Sequence, residues 1–153
     1  MLVAFVVAHF AIASLAVGLM KLLGTRSFLV TALVPAGAFV WFALQGPAIT
    51  SGEIVSESWS WIPTLGVDLT FRMGLVQWIL ALIVTGIGAL ILFYCRWYFS
   101  PSASATRCLG LMAAFAGAMI GLVTADNLML LYVFWELTTV FSYLLVGNDS
   151  TRQ

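Results

Sequence analysis

Residues 127–147 read NLMLLYVFWELTTVFSYLLVG, an apolar run of 21 residues with one ionisable side chain, Glu136, near its centre. An α-helix needs about 20 consecutive apolar residues to cross the hydrocarbon core of a bilayer. The run therefore predicts a transmembrane helix. Glu136 is the tenth residue of the run, so at about 1.5 Å per residue its carboxyl is expected near the middle of the membrane.

The composition of the whole chain agrees with this reading. Hydrophobic residues make up 63% of the 153 residues, charged residues 8%, and the mean hydropathy is +1.11. Soluble domains have about 45–50% apolar and 25% charged residues, so a soluble enzyme is excluded. Six basic and six acidic residues give no net charge, which removes the case for nucleic-acid binding. Cys95 and Cys108 have no metal-ligand spacing, and we predict no metal, no cofactor and no disulfide scaffold.

Four further apolar runs are long enough to cross a bilayer. The five predicted spans are Leu2–Met20, Phe28–Gln45, Leu75–Phe99, Cys108–Thr124 and Asn127–Gly147. Pro35 lies in the middle of the second span, where a proline releases a backbone carbonyl and favours a kink. The predicted fold class is an all-α integral membrane protein with five transmembrane helices.

Basic residues predict the orientation of these spans. Five of the six lie on one side of the membrane in this arrangement, and Arg72 lies on the other. The five are Lys21, Arg26, Arg96, Arg107 and Arg152. Since cytoplasmic loops carry an excess of lysine and arginine, we expect a multi-pass cell-membrane protein with its N-terminus outside and its C-terminus in the cytoplasm.

The segment between the second and third spans predicts a β-hairpin. Apolar and polar residues alternate over 55–61 and again over 67–71, on either side of the turn Pro63–Gly66. Such alternation is typical of paired strands, although an irregular loop with exposed aromatic residues is the alternative. The chain is thus expected to divide into the first two spans (1–46), an extracytoplasmic hairpin segment (47–74), the last three spans (75–147) and a polar cytoplasmic end (148–153).

Glu136 is the main candidate for function, because an ionisable group at the bilayer centre costs about 2.5–3.5 kcal/mol on insertion scales. Tyr132, Thr139 and Tyr143 fall at helical spacing from it and form one polar stripe. A stripe of hydroxyl groups around a carboxylate could hold water or pass protons. The alternative is that Glu136 only clamps two helices through a hydrogen bond. The opposite face of the helix is expected to be apolar and contains Phe134, Leu137, Phe141 and Leu144.

Three other features have a structural and a functional reading. Asp126, beside Asn127, suits a turn or the N-cap of the last span, and otherwise a carboxylate at the outer mouth of a proton path. His9 could relay protons, but a hydrogen bond to a backbone carbonyl is the simpler reading. Gly117 and Gly121 lie four residues apart in the fourth span and predict close packing of another helix.

The residues from Asp126 to Gly147 resemble the N-terminal part of the large antiporter-like subunits shared by Mrp-type sodium/proton antiporters and respiratory complex I. The Trp-Glu-Leu-Thr sequence at 135–138, with 84–88 and 117–119 in earlier spans, looks closest to the A-type subunit of Mrp antiporters. The likeness runs from about Trp59 to Gly147. It implies that Glu136 matches a glutamate used in ion translocation, which works there with a lysine on a later helix.

The chain departs from the family pattern in two ways. Gly74 occupies a position where the family usually has an aspartate. Complete subunits of the family have a dozen or more spans, so the resemblance implies an N-terminal fragment of a larger helical bundle.

The leading hypothesis is a transporter and not an enzyme. The chain would contribute to proton translocation coupled to sodium export, with lipid, protons, sodium ions and the other subunits of a multisubunit antiporter as its partners. The alternatives are a proton-pumping membrane-arm component of an NADH dehydrogenase or membrane-bound hydrogenase, and a non-conducting membrane assembly protein.

Overall fold

A computed structural model describes residues 1–62 and 67–147 of the chain. The predicted turn at 63–66 and the polar end at 148–153 lie outside the described residues. The described helices are α1 (Leu2–Ser14), α2 (Ala16–Leu23), α3 (Ser27–Leu44), α4 (Gly46–Thr50), α5 (Leu75–Tyr98), α6 (Ala103–Thr124) and α7 (Leu128–Val146), and the strands are β1 (Val55–Ile62) and β2 (Val67–Met73).

Within the described part of the chain, four helical segments are long and apolar enough to cross a membrane. They are Ala16–Leu44, Leu75–Tyr98, Ala103–Thr124 and Leu128–Val146, and the shorter apolar helix Leu2–Ser14 precedes them. The first predicted span is therefore divided at Leu15. The division is slight, because Leu15 donates to the Ala11 carbonyl at 3.2 Å and Leu19 donates to the Leu15 carbonyl at 2.9 Å.

The chain reverses direction after α2. Gly24 has a φ of +57°, a left-handed backbone value that glycine adopts without steric cost, and a short 3-10 turn follows at Gly24–Arg26. The Phe5 ring near the start of α1 lies 5.3 Å from Trp41 and 5.6 Å from Phe42, near the end of α3. The first two helices and α3 are therefore antiparallel, although the hydropathy of Ala16–Leu44 is continuous.

Helix α6 lies at the centre of the bundle, and its glycines let neighbouring helices approach it. A Cβ atom at Gly117 would lie 2.7 Å from the His9 Cβ of α1, and one at Gly121 would lie 2.4 Å from the Phe134 ring of α7. The predicted close-packing face is confirmed. Its two glycines serve two different neighbours, so α6 packs between α1 and α7.

Helices α3 and α5 form a second close pair. The indole N–H of Trp78 donates to the Phe42 carbonyl at 2.6 Å, and Gly86 faces the Phe39 ring. Pro35 is buried inside α3. Helix α3 keeps its helical assignment from Ser27 to Leu44 across this proline, so the predicted kink does not end the helix.

The predicted β-hairpin is confirmed. Strands β1 and β2 pair antiparallel from Val55 opposite Met73 to Ile62 opposite Val67, with an irregularity between Ser60 and Ile62. Phe71 forms an isolated bridge with Ala125, at the junction of α6 and α7. The hairpin therefore continues its backbone pairing onto the helical bundle.

Candidate functional site

Glu136 lies on the exposed face of α7, as do Tyr132 and Tyr143, which are 63% and 77% exposed. The opposite face of α7 packs into the bundle through Leu130 and Phe134, because apolar side chains there meet α6 and the hairpin. Leu137 and Phe141 also pack against this core. Leu144, predicted on the same apolar face, is 42% exposed. The polar stripe thus points away from the described helices.

The hydroxyl groups around Glu136 donate to the backbone of their own helix. Thr138 and Thr139 donate to the Trp135 carbonyl at 2.7 and 3.1 Å, and Ser142 donates to the Thr139 carbonyl at 2.9 Å. This back-bonding is common for serine and threonine inside helices. The hydroxyl oxygens keep lone pairs for outside donors, but no chain of hydrogen bonds runs along the stripe in residues 128–147.

The Glu136 carboxylate has no hydrogen bond or ion pair with any described residue. Its helix position places it about 15 Å from Asp126 along the axis, ten residues at about 1.5 Å each. The structure therefore does not bring the two carboxylates together. Any basic partner of Glu136 has to come from outside residues 1–62 and 67–147.

Asp126 is exposed, and its neighbour Asn127 is the N-cap of α7. The Asn127 side-chain oxygen accepts from the Leu130 N–H at 2.7 Å, which satisfies an otherwise unpaired donor of the first turn. Its amide donates to the Asp68 carbonyl and the Thr70 hydroxyl at 2.9 and 2.7 Å. The backbone N–H of Asp126 pairs with the Thr70 carbonyl. Asn127 therefore caps α7, and Asp126 contacts the hairpin through its backbone N–H.

His9 is fully buried on α1, with Nδ1 2.7 Å from the Phe5 carbonyl oxygen. This contact agrees with the simpler reading, a histidine bonded to its own backbone. The second ring nitrogen, Nε2, has no partner among the described residues. His9 packs on Gly117 of α6 and Glu136 faces out of the bundle, so the structure does not join the two groups.

The contact of Glu57 with the start of α1 was not predicted from the sequence. The Glu57 carboxylate of β1 accepts from the N–H groups of Leu2 and Val3 at 2.9 and 3.4 Å and contacts the Met1 amino group. It thereby caps α1 from a distant strand, which no local pattern indicates. Cys95 of α5 is buried in a cluster that includes Ala105 and Leu109 of α6, and Cys108 is partly buried.

Comparison with known proteins relates the chain to antiporter subunits, although no family model matches it. It is 39% identical over 119 residues to the A/B-type subunit of a probable K+/H+ antiporter from Rhizobium meliloti (strain 1021). It is also 39% identical over 117 residues to the A-type subunit of a Na+/H+ antiporter from Alkalihalophilus pseudofirmus. These matches cover 78% and 75% of this chain but 11% and 14% of the relatives, so the chain spans a small part of their length.

The fold has a counterpart among solved structures. The chain superimposes on a component of the Mrp complex from Dietzia sp. DQ12-45-1b with a TM-score of 0.81 and 31% identity. The superposition covers 95% of this chain and 16% of that component. The resemblance to the A-type subunit of Mrp antiporters that the sequence predicts is thereby confirmed.

Proposed function

We propose that this chain, which is homologous to the N-terminal portion of the A-type Mrp antiporter subunit, supplies the first helices of one large component of a cation/proton antiporter and carries protons on Glu136. The observation that carries the proposal is the outward-facing carboxylate on a membrane helix whose other face is packed. The relatives are named as antiporter subunits, which favours a transporter over a component of an oxidoreductase.

The exposure of the polar stripe supports a role inside a larger assembly. Exposing a charged carboxylate to lipid would cost several kcal/mol, and no favourable interaction of α7 would offset this cost. Later helices of a complete subunit would cover this face and bring a basic side chain to Glu136. In that setting the Glu136 carboxyl binds a proton, and the basic neighbour moves or loses its own proton. Glu136 then releases its proton to the next group along the path.

The coupled cation is the second part of the proposal. One relative is named for Na+ and the other for K+, so both ions are candidates by similarity. We propose Na+ as the exported ion, in exchange for protons that enter through Glu136. Asp126, exposed just before the start of α7 where the hairpin docks, would lie at the mouth of this path.

The arrangement of the helices supports five membrane crossings. Helices α1 and α2 together cover residues 2–23 with continuous hydrogen bonds around Leu15, a length of about 33 Å at 1.5 Å per residue. The turn at Gly24–Arg26 and the α5–α6 connection lie at one end of the bundle, and the hairpin lies at the other. The first end carries Arg96 and Arg107, which favours a cytoplasmic location for it.

The proposal is tested with Glu136→Gln in the complete antiporter complex. We expect Na+/H+ exchange in everted membrane vesicles to fall to the level of vesicles that lack the complex, because glutamine cannot take up a proton. K+/H+ exchange is measured in parallel in the same vesicles. The matched control is Glu53→Gln, which removes an exposed carboxylate outside the membrane helices and should leave exchange unchanged.

Two results would contradict the proposal. Unaltered exchange in a normally assembled Glu136→Gln complex would favour the non-conducting assembly role. Equal loss in the Glu53→Gln control would show that the assay responds to any missing carboxylate.

A further inference from the structure

A groove separates the first two helices from α6 near the end of the bundle that carries the α5–α6 connection. It has a volume of about 540 Å³, within the range of about 300–1,000 Å³ that is typical of ligand pockets. Its walls are mostly apolar and include Ala13, Ala16 and Val17 on one side and Gly110 on the other. Arg107 is the one charged side chain among the described residues that line it.

Small residues form the floor of this groove. A Cβ atom at Gly110 would lie 3.3 Å from the Ala13 carbonyl oxygen and 3.3 Å from the Ala16 Cβ, so the helices are in close contact there. The floor has no large side chains that could fill the space above this contact. Val17, on the rim, is 56% exposed. The groove is therefore a shallow apolar channel that is open to the membrane along its side.

Basic side chains lie on both walls toward the end of the groove. Arg107 is exposed on α6, four residues after the helix begins. Lys21 is exposed on α2 and follows Val17 by four residues, so it lies on the same face of its helix, one turn further along. Because α6 runs antiparallel to α2, both basic residues lie at the same end of the bundle.

These two cations are not neutralised by the described part of the chain. Neither Lys21 nor Arg107 has an ion pair with a described residue. Of the five acidic residues that the structure describes, one is Glu136 within α7, and the other four lie toward the hairpin end, namely Glu53, Glu57, Asp68 and Asp126. The groove thus combines an apolar channel with an uncompensated positive charge at one end.

We propose that this groove binds an anionic phospholipid, with one acyl chain along the apolar walls and the phosphate between the side chains of Lys21 and Arg107. A phospholipid matches both properties of the groove, because its apolar chain ends in an anionic headgroup. Basic pockets between transmembrane helices bind such headgroups, and a guanidinium can donate two hydrogen bonds to one phosphate. The bound lipid holds α2 against α6, and this role is independent of proton transfer on Glu136.

The depth of the two cations favours a lipid over a neighbouring transmembrane helix. Arg107 lies about 6 Å inside the end of α6, four residues at about 1.5 Å each, and its long side chain can extend from there to the headgroup layer. The phosphate of a lipid in the same leaflet lies in that layer. A helix in the groove would need an acidic side chain at this level to neutralise the same charges.

The test uses the complete antiporter complex in phosphatidylcholine vesicles that contain a small fraction of phosphatidylglycerol with a photoreactive diazirine in one acyl chain. After illumination, the modified peptides are identified by mass spectrometry. We expect adducts on the peptides that contain Ala13, Val17 and Gly110. The same diazirine chain on phosphatidylcholine should give several-fold fewer adducts there, because each basic residue near an anionic surface strengthens binding by a factor of about five.

Substitutions separate the groove from the general charge of the surface. Arg107→Gln and Lys21→Gln should each lower the adducts in the groove about fivefold, whereas Arg107→Lys keeps a cation and should retain most of them. The matched control is Arg96→Gln, which removes a basic residue at the same end of the bundle but on α5, outside the lining of the groove. It should leave the adducts unchanged.

Four results would each overturn the proposal. The first is an equal yield of groove adducts from the anionic and the zwitterionic probe, and the second is an unchanged yield in Arg107→Gln. The third is an equal fall in Arg96→Gln, which would assign the effect to surface charge in general. The fourth is a groove without lipid adducts in the wild-type complex, which would show that another part of the assembly covers it.

Discussion

At the scale of single residues, glycines decide how the helices meet. Gly117 and Gly121 form one small-residue motif in the sequence, yet they face two different helices. The Gly117 contact is with the His9 Cβ atom, which every residue except glycine possesses, whereas the Gly121 contact is with the Phe134 ring. A clash at position 121 can therefore be relieved by a smaller side chain at position 134. A clash at position 117 cannot be relieved in this way, because its partner atom is the Cβ of residue 9.

Gly121→Ala should destabilise the α6–α7 packing. Its new Cβ would lie 2.4–2.5 Å from three ring atoms of Phe134, so the ring or the helix has to shift, at a cost of about 1–3 kcal/mol for an overpacked core. Gly18→Ala is the matched control, because nothing lies within 4 Å of its Cβ position. The measurement is the thermal aggregation temperature of the solubilised complex, which we expect to fall only for Gly121→Ala.

A second substitution shows whether the ring is the cause. Phe134→Leu in the Gly121→Ala background removes Cε1 and Cζ, two of the three clashing atoms, and should recover part of the lost stability, as a coupling between neighbours. If the stability losses of the two single substitutions simply add in the double variant, the assigned contact is contradicted.

The sequence predicted the two faces of the last span but not their surroundings. The spacing of Tyr132, Glu136 and Tyr143 identified a polar stripe, and Phe134 marked the opposite face, which does pack. The direction of the stripe could not be predicted, because the spacing of residues along one helix does not show which face meets the neighbouring helices. Glu57 was missed for a related reason, since its partners are backbone N–H groups more than fifty residues away.

At the scale of elements, the hairpin is attached to the bundle at two places. Glu57 of β1 holds the start of α1, and Thr70 and Phe71 of β2 pair with the junction between α6 and α7. The alternation of side chains predicted the strands, because it reports one buried and one exposed face. It could not predict the docking, which uses backbone groups together with the side chains of Glu57 and Asn127.

Asn127 joins the hairpin to α7, and its two roles can be separated by substitution. Asn127→Asp keeps an oxygen for the Leu130 N–H but loses the donors to Asp68 and Thr70, whereas Asn127→Ala loses both functions. Loss of an N-cap costs about 1 kcal/mol. We expect both variants to raise amide hydrogen exchange in β2, and only Asn127→Ala to raise it also in the first turn of α7.

The control for this experiment is Ser58→Ala, a change at an exposed strand position that should leave exchange in both regions unchanged. Equal exchange of the α7 first turn in the aspartate and alanine variants would contradict the capping role. Unchanged exchange in β2 would contradict the docking role.

At the scale of the whole molecule, hydropathy predicted the elements better than their boundaries. The last three predicted spans correspond to α5, α6 and α7. Helix α6, however, begins at Ala103, five residues before the predicted span, because polar residues at its start are helical. The division at Leu15 and the short helix α4 were not predicted, since neither changes the apolar character of its segment. Hydropathy measures transfer to lipid, and these features depend on local backbone geometry.

The orientation of the bundle gives the last prediction. The hairpin and the α5–α6 connection lie at opposite ends of the bundle, and Arg96 and Arg107 flank the connection. The excess of basic residues therefore predicts that this end faces the cytoplasm. In a Cys95→Ser/Cys108→Ser background, Ser58→Cys and Ser100→Cys each introduce one exposed thiol. A membrane-impermeant maleimide on intact cells should label the Ser58→Cys variant, whereas the Ser100→Cys variant should react only after the membrane is permeabilised. The reverse pattern would contradict the predicted topology and would place Asp126 at the cytoplasmic end of the proposed path. Asp126 would then lie where protons leave Glu136 for the cytoplasm and not where they enter.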